Sequence, residues 1–233
     1  MLMGPQNLAP RFAQVRERIE TAARAAGRNA HSVTLLAVSK AQPPAALAAL
    51  AALGQRDFGE SYLDEALPKI AALQERELTW HFIGRLQANK TRAIAAHFAW
   101  VHAIDRLKIA ARLSEQRPFH APALNVCLQV KLADEAHKGG VSAAELPALA
   151  AAVAALPRLK LRGLMCLPPA ESEPARQRHW FAALRALKEG LDARGAGLDT
   201  LSMGMSDDFE AAIAEGATIV RLGTVLFGPR PVQ

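Results

Sequence analysis

Apolar residues along this chain fall into two alternating patterns: short continuous runs, and longer stretches spaced three or four residues apart. Phe12, Val15 and Ile19 mark a first helix over Pro10 to Ala26, with Gly27 as its stop. The run Val33-Thr34-Leu35-Leu36-Ala37-Val38 follows, apolar and partly β-branched, and reads as a strand buried on both faces that closes on Ser39-Lys40. Pro43 and Pro44 open an Ala/Leu helix that Gly54 ends. Asp57 to Ser61 reads as a second strand, leading into a helix from Tyr62 to Leu73 that Pro68 should kink or break. Trp80 to Gly84 is a third strand, Lys90 to His97 a short helix, and Trp100 to Ile104 a fourth strand. Asp105 is placed to cap a helix over Arg106 to Gln116. Leu124 to Leu132 is the longest strand, and Ser142 with Glu145 forms a capping box before an Ala-rich helix. Leu161 to Leu167 is strand six, and the helix Arg176 to Arg194 carries Trp180, Leu184, Leu187 and Leu191 on one side. Thr200 to Met205 and Ile219 to Phe227 are strands seven and eight, with a helix from Asp208 to Glu215 between them.

Strands separated by helices imply a parallel sheet, and eight of them imply a single (β/α)8 barrel with an extra N-terminal helix. The alternative is an open doubly wound sheet, but no G-x-G-x-x-G or G-x-x-x-x-G-K motif follows any strand. With no linker, repeat or low-complexity tract beyond Ala enrichment, residues 1–233 are expected to form one domain.

Composition narrows the class of protein. A hydrophobic fraction of 51% and a mean hydropathy of +0.05 describe a globular chain. The most apolar stretch, Ala143 to Leu156, contains Glu145 and Pro147 and is not a bilayer span. Met1-Leu2-Met3-Gly4-Pro5 lacks the pattern of a secretory signal, and Cys127 and Cys166 sit in apolar runs as buried reduced thiols, so the expected location is cytoplasmic. The net charge is +6, but 28 basic residues are interspersed with 22 acidic ones and no basic block, which argues against a nucleic-acid groove and leaves an anionic small ligand open.

Few residues have spacing that carries chemistry. The seven histidines include no H-E-x-x-H and no i, i+4 pair, so a locally built metal site is not expected. His81, inside an aromatic strand, reads as a hydrogen-bonded core residue. Gly204-Met205-Ser206 lacks the second glycine of a nucleophile elbow. Asp207, Asp208 and Glu210 are acids in a helix's first turn, which the helix dipole favours for structural reasons. Lys40 differs in its position. At the carboxyl end of strand one it stands where parallel α/β folds collect ligands, and packing against apolar neighbours would lower its pKa and make it fit for Schiff-base chemistry. A solvated lysine capping the strand has the same sequence. Ser206 begins a helix at the barrel mouth, where free N–H groups favour an anion, and Arg221, Gly223 and Thr224 close the chain's last strand. Taken singly these are a helix cap, an ion pair and a tight bend. Together with Lys40 they describe a site for a phosphorylated aldehyde held as an imine.

Several segments are long enough to compare with a known family. Leu36-Ala37-Val38-Ser39-Lys40, Phe58-Gly59-Glu60, Trp80-His81-Phe82-Ile83-Gly84, Leu86-Gln87-Ala88-Asn89-Lys90, Leu161-Arg162-Gly163-Leu164-Met165, Leu201 to Asp208 and Val220-Arg221-Leu222-Gly223-Thr224 resemble the pyridoxal 5′-phosphate homeostasis proteins, relatives of the barrel domain of alanine racemase. The resemblance implies a fold-type III barrel that binds pyridoxal 5′-phosphate (PLP). Lys40 would carry the aldehyde as an aldimine, Ser206, Gly223 and Thr224 would hold the phosphate, and Arg221 would face the pyridine nitrogen. Ser61 stands where the family usually has Asn, so a cofactor contact carries over to it only weakly, and Arg85 replaces a common Pro. The implied role is intracellular PLP homeostasis without an established turnover, by a monomer or weak dimer, with PLP-accepting enzymes as partners, no catalytic residue and no metal. Two other classes compete: a PLP-dependent amino-acid racemase, and a cofactor-free lysine aldolase acting on a sugar phosphate. A racemase needs a second acid/base group, which in the racemases of this type comes from a domain after the barrel; only Gly228 to Gln233 follow strand eight here, so a binder is expected.

Overall fold

A computed structural model describes residues 8–133 and 139–228 of the chain; positions 1–5, read above for a leader, and 229–233, in the tail, lie outside them. Eight parallel strands close into a barrel in sequence order. They are β1 (Thr34–Val38), β2 (Asp57–Glu60), β3 (Thr79–Phe82), β4 (Trp100–Ile104), β5 (Leu124–Val130), β6 (Leu159–Cys166), β7 (Thr200–Ser202) and β8 (Ile219–Leu222). The ring is closed by β1 against β8, with Leu36 level with Arg221 and Ala37 with Leu222. The helices are α1 (Leu8–Ala25), α2 (Pro44–Ala52), α3 (Leu63–Ala72), α4 (Thr91–His97), α5 (Leu107–Gln116), α6 (Leu146–Ala154), α7 (Pro174–Asp192), α8 (Phe209–Ala214) and α9 (Thr224–Phe227). The (β/α)8 architecture and the additional leading helix are thus as the alternation predicts. Among the described residues no helix is long and apolar enough to cross a membrane.

The main apolar core lies between strands and helices, where Phe58, Trp80, Phe82, Phe98, Val101, Ile109, Leu113 and Phe181 pack with little or no exposure. Alternation along each strand then sends every second side chain inward. Barrel interiors are usually filled by branched apolar residues. Here the inward set includes His81, His102, Ser202 and Arg221, all buried.

Several local expectations change. β8 ends at Leu222, and Thr224 to Phe227, expected as strand, form the helical turn α9. An apolar four-residue run has no period that separates strand from helix, so its neighbours decide. Pro68 does not break α3: it lies in the middle of the helix, where it forfeits one backbone bond, and Leu63, Ala66 and Lys69 anchor the buried face around it. Asp105 does not cap α5, because its carboxylate pairs with Arg106 at 2.7 Å instead. Ser142 and Glu145 form only half of the expected capping box: the Glu145 N–H donates to the Ser142 hydroxyl at 3.3 Å, but that hydroxyl donates to the Glu145 carboxylate at 2.6 Å. The pair lies in the turn ahead of α6, whose capping position is Glu145 itself. On α7, Phe181 is fully buried while Trp180 is only half-buried.

Candidate functional site

At the carboxyl ends of the strands lies a cavity of about 490 Å³. Its lining includes Lys40, Ser61, Ser206, Arg221, Gly223 and Thr224, together with Val38, Ile83, Met165, Leu167 and Phe227 as apolar walls. The six residues singled out in the sequence therefore face one space. Tyr62, Gln42, Arg85, Met205 and Asp207 complete its rim. That volume suits a small ligand, with apolar walls to bury its body and a few polar groups to orient it.

Lys40 sits two positions beyond β1, half-buried in a turn. The turn is unusual: Ala41 has φ +60°, a conformation that residues with a Cβ rarely adopt. Contacts from α3 and the end of β2 hold it. The Ala41 N–H donates to Glu65 Oε2 at 2.8 Å, and Lys69 Nζ donates to the Ser39 carbonyl at 2.8 Å. Lys69 also reaches Glu60 Oε1 at 2.8 Å, and the Ser39 hydroxyl donates to the same oxygen at 2.6 Å. Lys69 and Glu60 are both buried, and Glu60 Oε2 has no hydrogen-bond partner. Burial pushes the Glu60 carboxyl above its ordinary range, outweighing the opposing hydrogen bonds from Lys69 and Ser39. This buried clamp fixes the residues on either side of Lys40. Neither Lys69 nor Glu60 emerges as a site residue from sequence, although an acid closing an apolar strand, in Asp57-Phe58-Gly59-Glu60, is a usable signal.

Ser61 follows β2 directly and is tied to the neighbouring loop by close backbone packing. A Cβ on Gly84 would lie 2.0 Å from the Ser61 carbonyl oxygen, so only glycine allows these two loops to meet at the mouth. Across the cavity, Gly223 precedes α9 with φ −120°, and a Cβ there would meet only Val38, at 3.4 Å or more, an ordinary contact. Neither backbone strain nor packing within the chain requires glycine at 223, so its missing side chain opens room on the cavity side. As α9 begins, its first N–H groups have no intrahelical acceptor, and the exposed Thr224 adds a hydroxyl beside them. Ser206 is half-buried in the turn before α8 and does not cap that helix, contrary to expectation; Asp208 takes the capping position, accepting from the Met205 N–H at 2.6 Å.

Arg221 is not the surface ion pair that its sequence position allows. It is 4% exposed, with Nη1 donating to the Ser202 carbonyl at 2.5 Å and to Ser202 Oγ at 2.9 Å, and Nη2 donating to the Cys166 carbonyl at 2.8 Å. Burial lowers its pKa, yet a guanidinium stays charged at any physiological pH. Behind it, His102 Nδ1 lies 2.8 Å from Ser202 Oγ, His102 Nε2 lies 3.0 Å from His81 Nδ1, and His81 Nε2 lies 3.0 Å from Asp57 Oδ1. His81 is thus the hydrogen-bonded core residue expected. Cys127 and Cys166 are buried free thiols, and burial pushes Cys127 up to about 12.

The two histidines make a prediction about pH. Burial holds His81 below its usual pKa and His102 well below it, the latter helped by the charges of His81 and Arg221. A depressed pKa in the fold means that the unfolded chain binds protons first as pH falls. Their contribution is therefore present above about pH 6.5 and is lost below it, at up to about 1.4 kcal/mol per pH unit for each histidine. Urea unfolding at pH 7.5 and 5.5 should show that loss, and His102→Gln should make the dependence shallower. Equal steepness in the variant would mean that His102 binds its proton alike in the folded and the unfolded chain.

Comparison with known proteins places this geometry. The family described as "Alanine racemase, N-terminal domain" matches residues 12–231. A Pseudomonas aeruginosa protein named pyridoxal phosphate homeostasis protein is 59% identical over 223 residues, covering 96% of each chain. The Escherichia coli K12 protein of the same name is 52% identical over 227 residues, covering 96% of this chain and 97% of its own. PipY of Synechococcus elongatus, solved with PLP bound, superposes with a TM-score of 0.85 at 38% identity, covering 95% of this chain and all of PipY. With identity this high over nearly whole chains, the chain belongs to the pyridoxal phosphate homeostasis proteins, within the alanine racemase N-terminal domain family.

Proposed function

We propose that this protein binds pyridoxal 5′-phosphate covalently through Lys40 and serves in balancing the cell's supply of that cofactor. The observation that carries the proposal is the convergence of an amine, a buried guanidinium and a set of anion donors on one cavity of about 490 Å³. Those residues fit the cofactor. Lys40 is the amine for its aldehyde, Ser206, Thr224 and the backbone at Gly223 are donors for its phosphate, and Arg221 is a cation for the pyridine nitrogen. The apolar walls Val38, Ile83, Met165 and Leu167 suit the ring, and Ser61 has its place on the rim. When bound, the cofactor supplies an electrophilic aldehyde and an electron-accepting ring. The chain's own residues would hold the amine in place, screen the ring from water and donate hydrogen bonds to the phosphate. PipY carries PLP in its solved structure, and the role in homeostasis is extended from the names of the relatives at 59% and 52% identity. The proposed setting is a one-domain cytoplasmic monomer or weak dimer, with PLP-accepting enzymes as its partners.

Borohydride reduction of the cofactor-loaded protein, followed by peptide mass analysis, should place a pyridoxyl group on Lys40. A label on Lys90 with Lys40 clean would overturn the assignment. The phosphate end has its own test. Ser206→Ala deletes one hydrogen bond to an anion, a bond that contributes roughly 1.5–3 kcal/mol, so affinity for PLP should fall about ten- to a hundredfold. Pyridoxal, which lacks the phosphate, should be insensitive to the same substitution. An unchanged PLP dissociation constant would move the phosphate elsewhere.

A further inference from the structure

Arg221 poses a problem of charge. A guanidinium taken out of water needs compensation, and its hydrogen-bond acceptors here are two main-chain carbonyls and one hydroxyl, all neutral. Asp208 acts on it only through space. The bonded path behind it, however, leads from Ser202 through His102 and His81 to a carboxylate, that of Asp57, at the opposite end of the barrel.

With both rings neutral, the donor at one end and the carboxylate at the other set the direction of every bond in that path. Arginine has no acceptor, so Ser202 Oγ must accept from Nη1, and at the other end the Asp57 carboxylate must accept from His81 Nε2, which leaves Nδ1 of a neutral His81 as an acceptor. A neutral His102 then carries its proton on Nε2, donates to His81 Nδ1, and accepts on Nδ1 from the Ser202 hydroxyl. No proton is missing and none is duplicated. Each neutral link turns its negative end toward the guanidinium and its positive end toward the carboxylate, so all are stabilised by the two charges and polarise one another. The rings are held in place as well: Trp100 stacks on His81 at 5.5 Å with an interplanar angle of 8°.

We infer that Asp57, His81, His102 and Ser202 are positioning residues for Arg221, forming one directional hydrogen-bonded chain from the floor of the barrel to the wall of the cavity. Asp57 is the first residue of β2, its side chain is 30% exposed, and it lines a separate depression with Arg16, Gln55 and Arg56 at the end of the barrel away from Lys40. The chain therefore links a carboxylate in contact with solvent to the group that faces the ligand. Its consequence for the cofactor rests on the proposed function; the chain itself does not.

The test uses the full-length protein. In nitrogen-15 spectra at pH 7.5, with or without PLP, His81 and His102 should both be neutral with the proton on Nε2; an imidazolium or the opposite tautomer at either ring overturns the inference. His102→Leu cuts the chain and should raise the PLP dissociation constant about tenfold and displace the resonance of a nitrogen-15-labelled pyridine nitrogen, an effect of the size of one hydrogen bond to a charged group. His102→Gln can accept from Ser202 and donate to His81, and should restore both readouts. Asp57→Asn removes only the distant charge, and should move the same resonance with about a threefold loss of affinity; it carries the test if His102→Leu does not fold. Variants that are folded and labelled at Lys40, yet have wild-type resonance and affinity, overturn the inference. Should the wild-type protein take up no cofactor, it is the proposed function that fails. The Arg221 guanidinium resonances then decide: they should shift in Asp57→Asn and His102→Leu, and unchanged positions overturn the chain.

Discussion

Lys40→Ala should remove the borohydride-stable pyridoxyl label completely, and raise the PLP dissociation constant by about a hundredfold or more, equivalent to some 2.7 kcal/mol. Both effects follow from the position of the amine. Among the described residues Lys40 is the lysine that lines the cavity, and its turn is held by bonds to the residues on both sides of it. A side chain shortened to a methyl group cannot attack the aldehyde carbon, while Ser206, Thr224 and Gly223 remain to bind the phosphate. Residual, noncovalent binding is therefore expected, and it should be lost on combining Lys40→Ala with Ser206→Ala. Lys40→Arg should behave like Lys40→Ala in the labelling assay, since a guanidinium keeps its proton and is not a nucleophile. Absorption titration gives the affinities, and mass analysis of the reduced protein gives the label. Retention of the label in Lys40→Ala would mean that another lysine carries the cofactor.

What could be read from sequence depended on whether the signal was local. The barrel was legible because each strand is a short apolar run followed by a helical period, and eight such units leave little choice of architecture. That Lys40, Ser206, Gly223 and Thr224 would meet at one cavity was legible because Lys40 closes a strand and the loops after the last two strands of a barrel open on the same mouth. The end of β8 was not, since Thr224-Val225-Leu226-Phe227 has strand-like composition and becomes helical only in its tertiary setting. Asp105 failed as a cap because Arg106 competed for its carboxylate, and Ser206 because α8 starts later, with Asp208 at the capping position. Least legible were contacts between distant elements. His102 and Ser202 are 100 residues apart, and nothing in Trp100-Val101-His102 indicates that its histidine completes a path to Arg221. Lys69 reads as a solvated lysine on an ordinary helix; only the fold turns it inward, to Ser39 and Glu60.

That inward lysine carries the second large effect. Lys69→Met should destabilise the protein by about 3–5 kcal/mol, because removing one partner of a buried pair leaves the other charge uncompensated. At roughly 2–4 °C per kcal/mol for a domain of this size, the melting temperature should fall by about 10 °C. The burial of Glu60 makes the cost severe. One of its oxygens already has no partner, and loss of Lys69 leaves the other with only the Ser39 hydroxyl. The substitution also removes one of the two donors to the Ser39 carbonyl, the peptide oxygen just before Lys40, leaving it only the Gln42 N–H at 3.0 Å, so labelling of Lys40 should slow even at temperatures where the protein stays folded. Glu60→Gln in the Lys69→Met background separates the two consequences. Without a buried anion the stability should largely return, whereas the Ser39 carbonyl still lacks the Lys69 ammonium and labelling should stay slow. Thermal denaturation of the two single variants and the double variant, with borohydride labelling rates at 25 °C, makes the measurement. If Lys69→Met melts within 2 °C of the wild type, or if Glu60→Gln restores the labelling rate along with stability, the clamp does not hold the Lys40 turn in the way its bonds imply.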